Sequence, residues 1–161
     1  VPVHYNEYPT GRPHVPGKDK DRFRSRYLDI PNSPLYPFGY GLTYTSFSVS
    51  PVCLDREHMT KNAVLTASVT VRNTGQAKGT ETIQLYLHDI TASVVRPVKE
   101  LRGFRKVTLQ PGGEETVSFF ITEKDLRFWT ERGRWESEPG AFEVFVGTSS
   151  LADAPARFTF G

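Results

Sequence analysis

The side chains of this 161-residue chain that could do chemistry are four histidines, one cysteine and eighteen carboxylates. Their spacing argues against each familiar use. His4, His14, His58 and His88 lie far apart, and there is neither a His-Glu-x-x-His pair nor a second cysteine, so no zinc site can be assembled from them by motif. Each is read as an ordinary surface or partly buried histidine. Cys53 has no evident partner to stabilise a thiolate, and as a small apolar residue on the first strand it is expected in the core rather than as a nucleophile. No serine sits in a Gly-x-Ser-x-Gly elbow. Gly112-Gly113 lacks the Gly-Lys-Ser/Thr that would make a phosphate cradle. A pair of carboxylates for glycoside hydrolysis must be held across a cleft, and convex sheet surfaces seldom provide one. The residues alone therefore assign no catalytic group, no cofactor and no metal ligand.

The elements that would have to position such groups are those of one ordinary domain with an extension, since 161 residues are too few for two comfortable domains. A net charge of +2 gives no clustered basic surface for nucleic acid or membrane, so neither is expected as a partner. Apolar runs are strand-sized rather than membrane-spanning, and no charged-then-apolar leader opens the chain. One cysteine permits no internal disulfide and leaves the compartment open: periplasmic, secreted and cytoplasmic all remain. The opening residues Val1-Pro2-Val3-His4-Tyr5 have no initiator Met and look like a strand already in progress. A strand without its neighbours would leave an unsatisfied sheet edge, so the chain is expected to be a fragment.

Residues 9–44 form a linker ending in an aromatic joint. Pro9, Gly11, Pro13, Pro16, Gly17, Pro31 and Pro34 mark the linker by composition, with Lys18, Lys20, Arg22, Arg24 and Arg26 interleaved with Asp19 and Asp21. Either this run is a solvated tether, or Arg24, Arg26 and Tyr27 pin it to an acidic neighbouring surface. The stretch Pro34 to Phe47 packs five rings, Tyr36, Phe38, Tyr40, Tyr44 and Phe47, around Pro37, Gly39 and Gly41. Neither a helix nor a central strand can run through its first half. A fixed aromatic turn can, and so many rings predict a packed joint rather than a solvated loop.

Residues 45–161 carry the alternation of a β-sandwich. Leu65, Ala67, Val69 and Val71 alternate with polar residues, Asn73-Thr74-Gly75 turns the chain, and Ile83, Leu85 and Leu87 follow. Leu101, Phe104, Val107 and Leu109 mark the next strand, Pro111-Gly112-Gly113 a turn, and Val117, Phe119 and Ile121 another inward row. Thr122 with Asp125 predicts one capped helical turn. Phe128 to Trp135 reads as two short strands about Glu131-Arg132-Gly133, and Phe142, Val144, Val146, Phe158 and Phe160 complete about seven strands, the pattern of an all-β sandwich. Tyr86, Phe120 and Phe145 fall in polar registers and are expected on outer faces. They either pack beneath the linker or another domain, which is favoured, or form a sugar-stacking platform in which Trp135 could join.

These residues carry a resemblance. Val3-His4-Tyr5-Asn6 with Thr10-Gly11-Arg12-Pro13, Ser25-Arg26-Tyr27 with Asp29, and Tyr36-Pro37-Phe38-Gly39-Tyr40-Gly41-Leu42-Thr43-Tyr44-Thr45 are similar to the linker and junction of family 3 glycoside hydrolases of the β-glucosidase type. Val71-Arg72-Asn73-Thr74-Gly75, Gln84-Leu85-Tyr86, Arg96 to Phe104, Leu109-Gln110-Pro111-Gly112, and Pro139-Gly140 with Phe142 to Gly147 resemble, in order, their fibronectin type III-like domain. The match covers about the whole chain.

The resemblance implies an immunoglobulin-like sandwich of about seven strands over 45–161 and, over residues 1–8, the last strand of a preceding α/β domain. It implies a complete enzyme that removes terminal β-linked glucose or a related sugar with retention, using an Asp nucleophile in a barrel domain and a Glu acid/base in an α/β sandwich domain. Neither residue has a counterpart here. The chain is then a structural accessory, with the two catalytic domains as partners in the same or a companion polypeptide, and a homodimer as a further possibility. Arg24, Arg26, Tyr27, Asp29, Tyr36, Phe38 and Tyr40 are the expected interface or cleft-rim residues. A carbohydrate-binding module and a free-standing adhesion-type module are the competing readings.

Overall fold

The structure is a computed structural model that describes residues 4–9, 11–12 and 23–161. Eleven strands, most of them formed by the alternating segments, build two facing sheets and a small ribbon. The first sheet centres on β4 (Leu65–Asn73), which pairs along one edge with β1 (Phe47–Val49) and then β2 (Cys53–Leu54), and along the other with β7 (Glu114–Ile121). The second runs in the order β3 (His58–Met59), β11 (Ala156–Phe160), β10 (Gly140–Gly147), β5 (Gly79–Asp89), β6 (Glu100–Leu109). All pairs are antiparallel except β3 with β11. The ribbon is β8 (Phe128–Trp129) with β9 (Trp135–Glu136).

The first strand of the sandwich is thus broken into three. Its opening pieces belong to one sheet, and its third crosses to the other, so one segment stitches both edges together. Between the sheets the inward rows meet: Leu65, Val69 and Val71 from β4, Ile83 and Leu85 from β5, Val117 and Ile121 from β7, Val144 from β10, all essentially without solvent contact. Phe142 and Phe158 stack across β10 and β11 with centroids 5.3 Å apart. At roughly 1.5–3 kcal/mol for each large apolar side chain removed from water, this row is the main source of stability.

Three features depart from the pattern. Cys53, expected in the core, is exposed, because β2 is a two-residue edge piece whose Leu54, not Cys53, packs inward. In β6 a bulge opposite the step from Leu85 to Tyr86 shifts the register, so that Leu101 pairs with outward Tyr86, while Phe104, at the opposite parity to Val107, pairs with outward Gln84 without any shift. Only Val107 and Leu109 of the expected row reach the core, and Phe104 is exposed. Of residues 1–8, those described, 4–8, lie outside any strand. His4 to Glu7 make a turn closed by the Glu7 amide on the His4 carbonyl at 3.2 Å. His14, Lys18, Lys20 and Arg22 lie outside the described residues.

The turns are fixed by side chains. Asn73 is fully buried and uses all its amide capacity: Oδ1 accepts from Thr45 Oγ1 at 2.8 Å and the Gly75 amide at 3.0 Å, while Nδ2 donates to the carbonyls of Ala77 and Leu109. It thereby ties the end of the joint to three segments of the sandwich. The capped turn is a single 3-10 turn, Glu123–Leu126, with Thr122 N–H and Oγ1–H both donating to Asp125 Oδ2 at 2.7 Å.

Candidate functional site at the aromatic joint

Side chains at one face of β5 and β10 that alternation alone would give to water are instead covered by chain. Pro37-Phe38-Gly39-Tyr40 is a turn closed by the Tyr40 amide on the Pro37 carbonyl at 3.0 Å, with Gly39 at φ +78°, the glycine position of a type II turn. A Cβ at Gly39 would also fall on Gln84 Oε1. Both the backbone conformation and the close approach therefore require glycine. Gln84, from the outward register of β5, donates through Nε2 to the Gly39 carbonyl and the Thr148 carbonyl, each at 2.9 Å, and accepts the Tyr86 hydroxyl on Oε1. The Phe38 carbonyl takes the Ser150 amide at 2.9 Å. The joint is thus bonded to the strand face and to the loop after β10 at once.

Aromatic packing completes the contact. Tyr5 stacks on Phe38 with centroids 4.1 Å apart and meets Tyr86 edge-on at 5.8 Å. Tyr86 has no solvent exposure, and burial, reinforced by nearby Tyr5, pushes its hydroxyl pKa up to about 12, so it stays a hydrogen-bond donor. Phe145, opposite Tyr86 on β10, is covered by Lys99, whose ammonium lies 4.3 Å above the ring centroid and donates to the carbonyls of Ser150 and Ala152. Burial lowers the Lys99 pKa, opposed by Asp153 and Glu143. The loop carrying Lys99 holds the N-terminal segment too, through the Val98 amide on the Glu7 carbonyl at 2.9 Å. Two residues earlier in that loop, the Arg96 guanidinium covers the Phe128 ring at 4.5 Å and pairs with Glu100.

The residues singled out in sequence divide accordingly. Phe38, Tyr86 and Phe145 come together at the joint. Tyr36 and Tyr40 pair with each other, centroids 5.4 Å apart, and face outward, 67% and 50% exposed. Phe120 is not with them: it is exposed and lines a shallow groove with Phe104 between the free edges of β6 and β7. Trp135 lies on the β8–β9 ribbon, exposed. Tyr27 closes a turn with its amide on Asn32 Oδ1 at 2.8 Å, Arg24 and Arg26 are half-buried, and Asp29 is exposed. Sequence reasoning missed Tyr5, Gln84 and Lys99. The signal for Gln84 was its place two residues before Tyr86 in the same outward register. Among the described residues no group of three or more His, Cys, Asp or Glu side chains could hold a metal ion.

The sandwich carrying this joint has a recognised lineage, since the family model for the fibronectin type III-like domain matches residues 81–150. Those residues are a fibronectin type III-like domain. The domain and its joint together match the C-terminal region of family 3 β-glucosidases. The periplasmic β-glucosidase of Salmonella typhimurium is 51% identical over 150 residues, which are 93% of this chain and 20% of that protein. A β-xylosidase of Formosa agariphila is 41% identical over 153 residues, 95% of this chain and 20% of that protein. The solved β-glucosidase of Listeria innocua in complex with glucose superimposes on all of this chain and 22% of its own, with a TM-score of 0.91 and 43% identity. The chain thus spans about a fifth of the length of the relatives it matches. In those larger enzymes the fibronectin type III-like domain sits with the catalytic domains.

What the joint leaves uncovered is as informative as what it packs. Phe23, Leu28, Ile30, Leu35, Leu42 and Tyr44 all stand exposed within residues 23–44, beside Tyr36 and Tyr40. These large apolar side chains are all left to solvent within one segment of the chain.

Proposed function

We propose that this chain is the C-terminal accessory domain of a β-glucosidase-type glycoside hydrolase, docked through its joint and linker onto the catalytic domains of a longer polypeptide. The complete enzyme releases terminal β-linked glucose or a related sugar with retention, one carboxylate attacking the anomeric carbon and another serving as acid and then base. Both carboxylates belong to those other domains. Here the chain supplies a rigid sandwich and a fixed exit for the linker. The observation that carries this reading is the run of exposed apolar side chains over residues 23–44, Phe38 among them, next to a joint that Tyr5 and Phe38 stack onto buried Tyr86. Arg24, Arg26, Tyr27, Asp29, Tyr36, Phe38 and Tyr40 are assigned to the interface with the catalytic domains.

The test is kinetic and structural. Residues 1–161 alone should leave an aryl β-glucoside unhydrolysed, while the complete polypeptide cleaves it and loses thermal stability when this region is deleted. Hydrolysis by the 161-residue chain at a rate near that of the whole enzyme would refute the accessory role. Alanine at Tyr36 and Tyr40 in the complete enzyme should lower its melting temperature. Sedimentation of the same variant reports whether a second copy also uses this strip.

A further inference from the structure

The β8–β9 ribbon carries two tryptophans that neither sheet uses. Trp129 and Trp135 are direct cross-strand partners, so both side chains leave the same face of the ribbon. They are 63% and 56% exposed. Tryptophan is rarely left to water, and it is the side chain most enriched where binding energy is concentrated.

The ribbon presents them firmly. Phe128, the neighbour of Trp129, has no solvent exposure and lies under the Arg96 guanidinium. Thr130 is buried, its amide donating to the Arg134 carbonyl at 2.9 Å, and Gly133 at φ +68° closes the loop. Below the ribbon Glu123 accepts from Ser137 Oγ and from Arg127. Glu131, Arg132 and Arg134, in the loop that joins the two strands, are exposed charges beside the tryptophans in sequence. Exposed aromatics held on a fixed ribbon next to charged residues are of the composition enriched at protein interfaces.

We infer that Trp129 and Trp135 form a second anchor by which this chain docks onto the catalytic part of the longer enzyme. The inference rests on the accessory reading above. Two observations name this occupant. About four-fifths of the length of the matched relatives lies outside this chain, so a large body is available to cover the ribbon. The ribbon is also continuous with the joint: Phe128 lies under Arg96, and two residues on, Val98 holds Glu7 of the N-terminal segment.

The experiment is hydroxyl-radical footprinting with mass spectrometry on the complete polypeptide that carries this chain, native and unfolded in guanidinium. In the native enzyme Trp129 and Trp135 should be labelled several-fold more slowly than in the unfolded one, approaching the protection of buried Phe128. Labelling as fast as in the unfolded polypeptide overturns the inference. So does protection that disappears on dilution, which would assign the ribbon to a second copy, or protection that arises only on adding laminaribiose or cello-oligosaccharide, which would make it a glucan platform. Tyr36 and Tyr40 are read in the same experiment. If they are protected while the tryptophans are not, this inference fails and the accessory reading stands; if Tyr36 and Tyr40 are also freely labelled, the accessory reading fails with it.

Discussion

The carbonyl of Gly39 accepts a 2.9 Å hydrogen bond from Nε2 of Gln84, forty-five residues further along the chain. That single contact fixes a tight turn of the linker onto the middle of a sandwich strand. Because the glycine is in the left-handed region and its missing Cβ leaves the room that Gln84 Oε1 occupies, the turn and the strand can only be changed together.

Gly39→Ala is accordingly expected to cost about 2 kcal/mol, from backbone strain and displacement of the Gln84 amide. Urea unfolding followed by fluorescence checks it. An unchanged midpoint would show that the turn is not held by Gln84.

Asn73→Ala should be more damaging, about 3 kcal/mol, since it leaves the buried Leu109 carbonyl, the Ala77 carbonyl and the hydroxyl of Thr45 without their partner. Asn73→Asp replaces the donor by an acceptor and should not rescue the loss. Thermal denaturation of the two variants side by side provides the measurement.

Tyr86 makes the fold sensitive to alkali. Its hydroxyl titrates at about 12 in the folded chain, against about 10 in an unfolded one. Between these values the unfolded state releases the proton and the folded state keeps it, so stability is full below pH 10 and falls as pH rises toward 12, by on the order of 2–3 kcal/mol. Tyr86→Phe should remove this slope while costing about 1 kcal/mol at neutral pH through the lost bond to Gln84. Equal alkaline unfolding profiles for the two proteins would contradict the assignment.

Cys53 offers a simple check on the edge of the first sheet. Being exposed, its thiol should react with a disulfide reagent in the native state about as fast as in the unfolded chain. Cys53→Ser should shift stability by no more than about 0.5 kcal/mol.

The sandwich was legible because most of its strands obey a period of two, and Leu65 to Val71 or Val117 to Ile121 can bury one face in no other regular way. Leu101 was not, because a bulge in its strand changes parity without leaving a mark in the hydrophobic pattern, and Phe104, three residues from Val107, takes the outward parity. Cys53 was misplaced for a related reason: a two-residue strand has no periodicity to read. Tyr86 and Phe145 stood out in sequence as rings in the wrong register. What covers them could not be read, since Tyr5 and Lys99 reach them through tertiary packing that no local pattern encodes. The paired exposure of Trp129 and Trp135 belongs to the same class, as their strands are too short to announce which face they show.

The parallel pairing of β3 with β11 has a mechanical meaning. Its strands come from the first and last segments of the sandwich and run in the same direction, joined by the Thr159 amide on the Glu57 carbonyl at 2.9 Å and the Gly161 amide on the Met59 carbonyl at 3.2 Å. A pull applied between the linker and the far end of the domain loads these bonds along the strands, in shear and simultaneously, rather than peeling them one after another. The broken first strand therefore acts as a latch that resists tension on the tether, transmitting strain to both sheets before either can open.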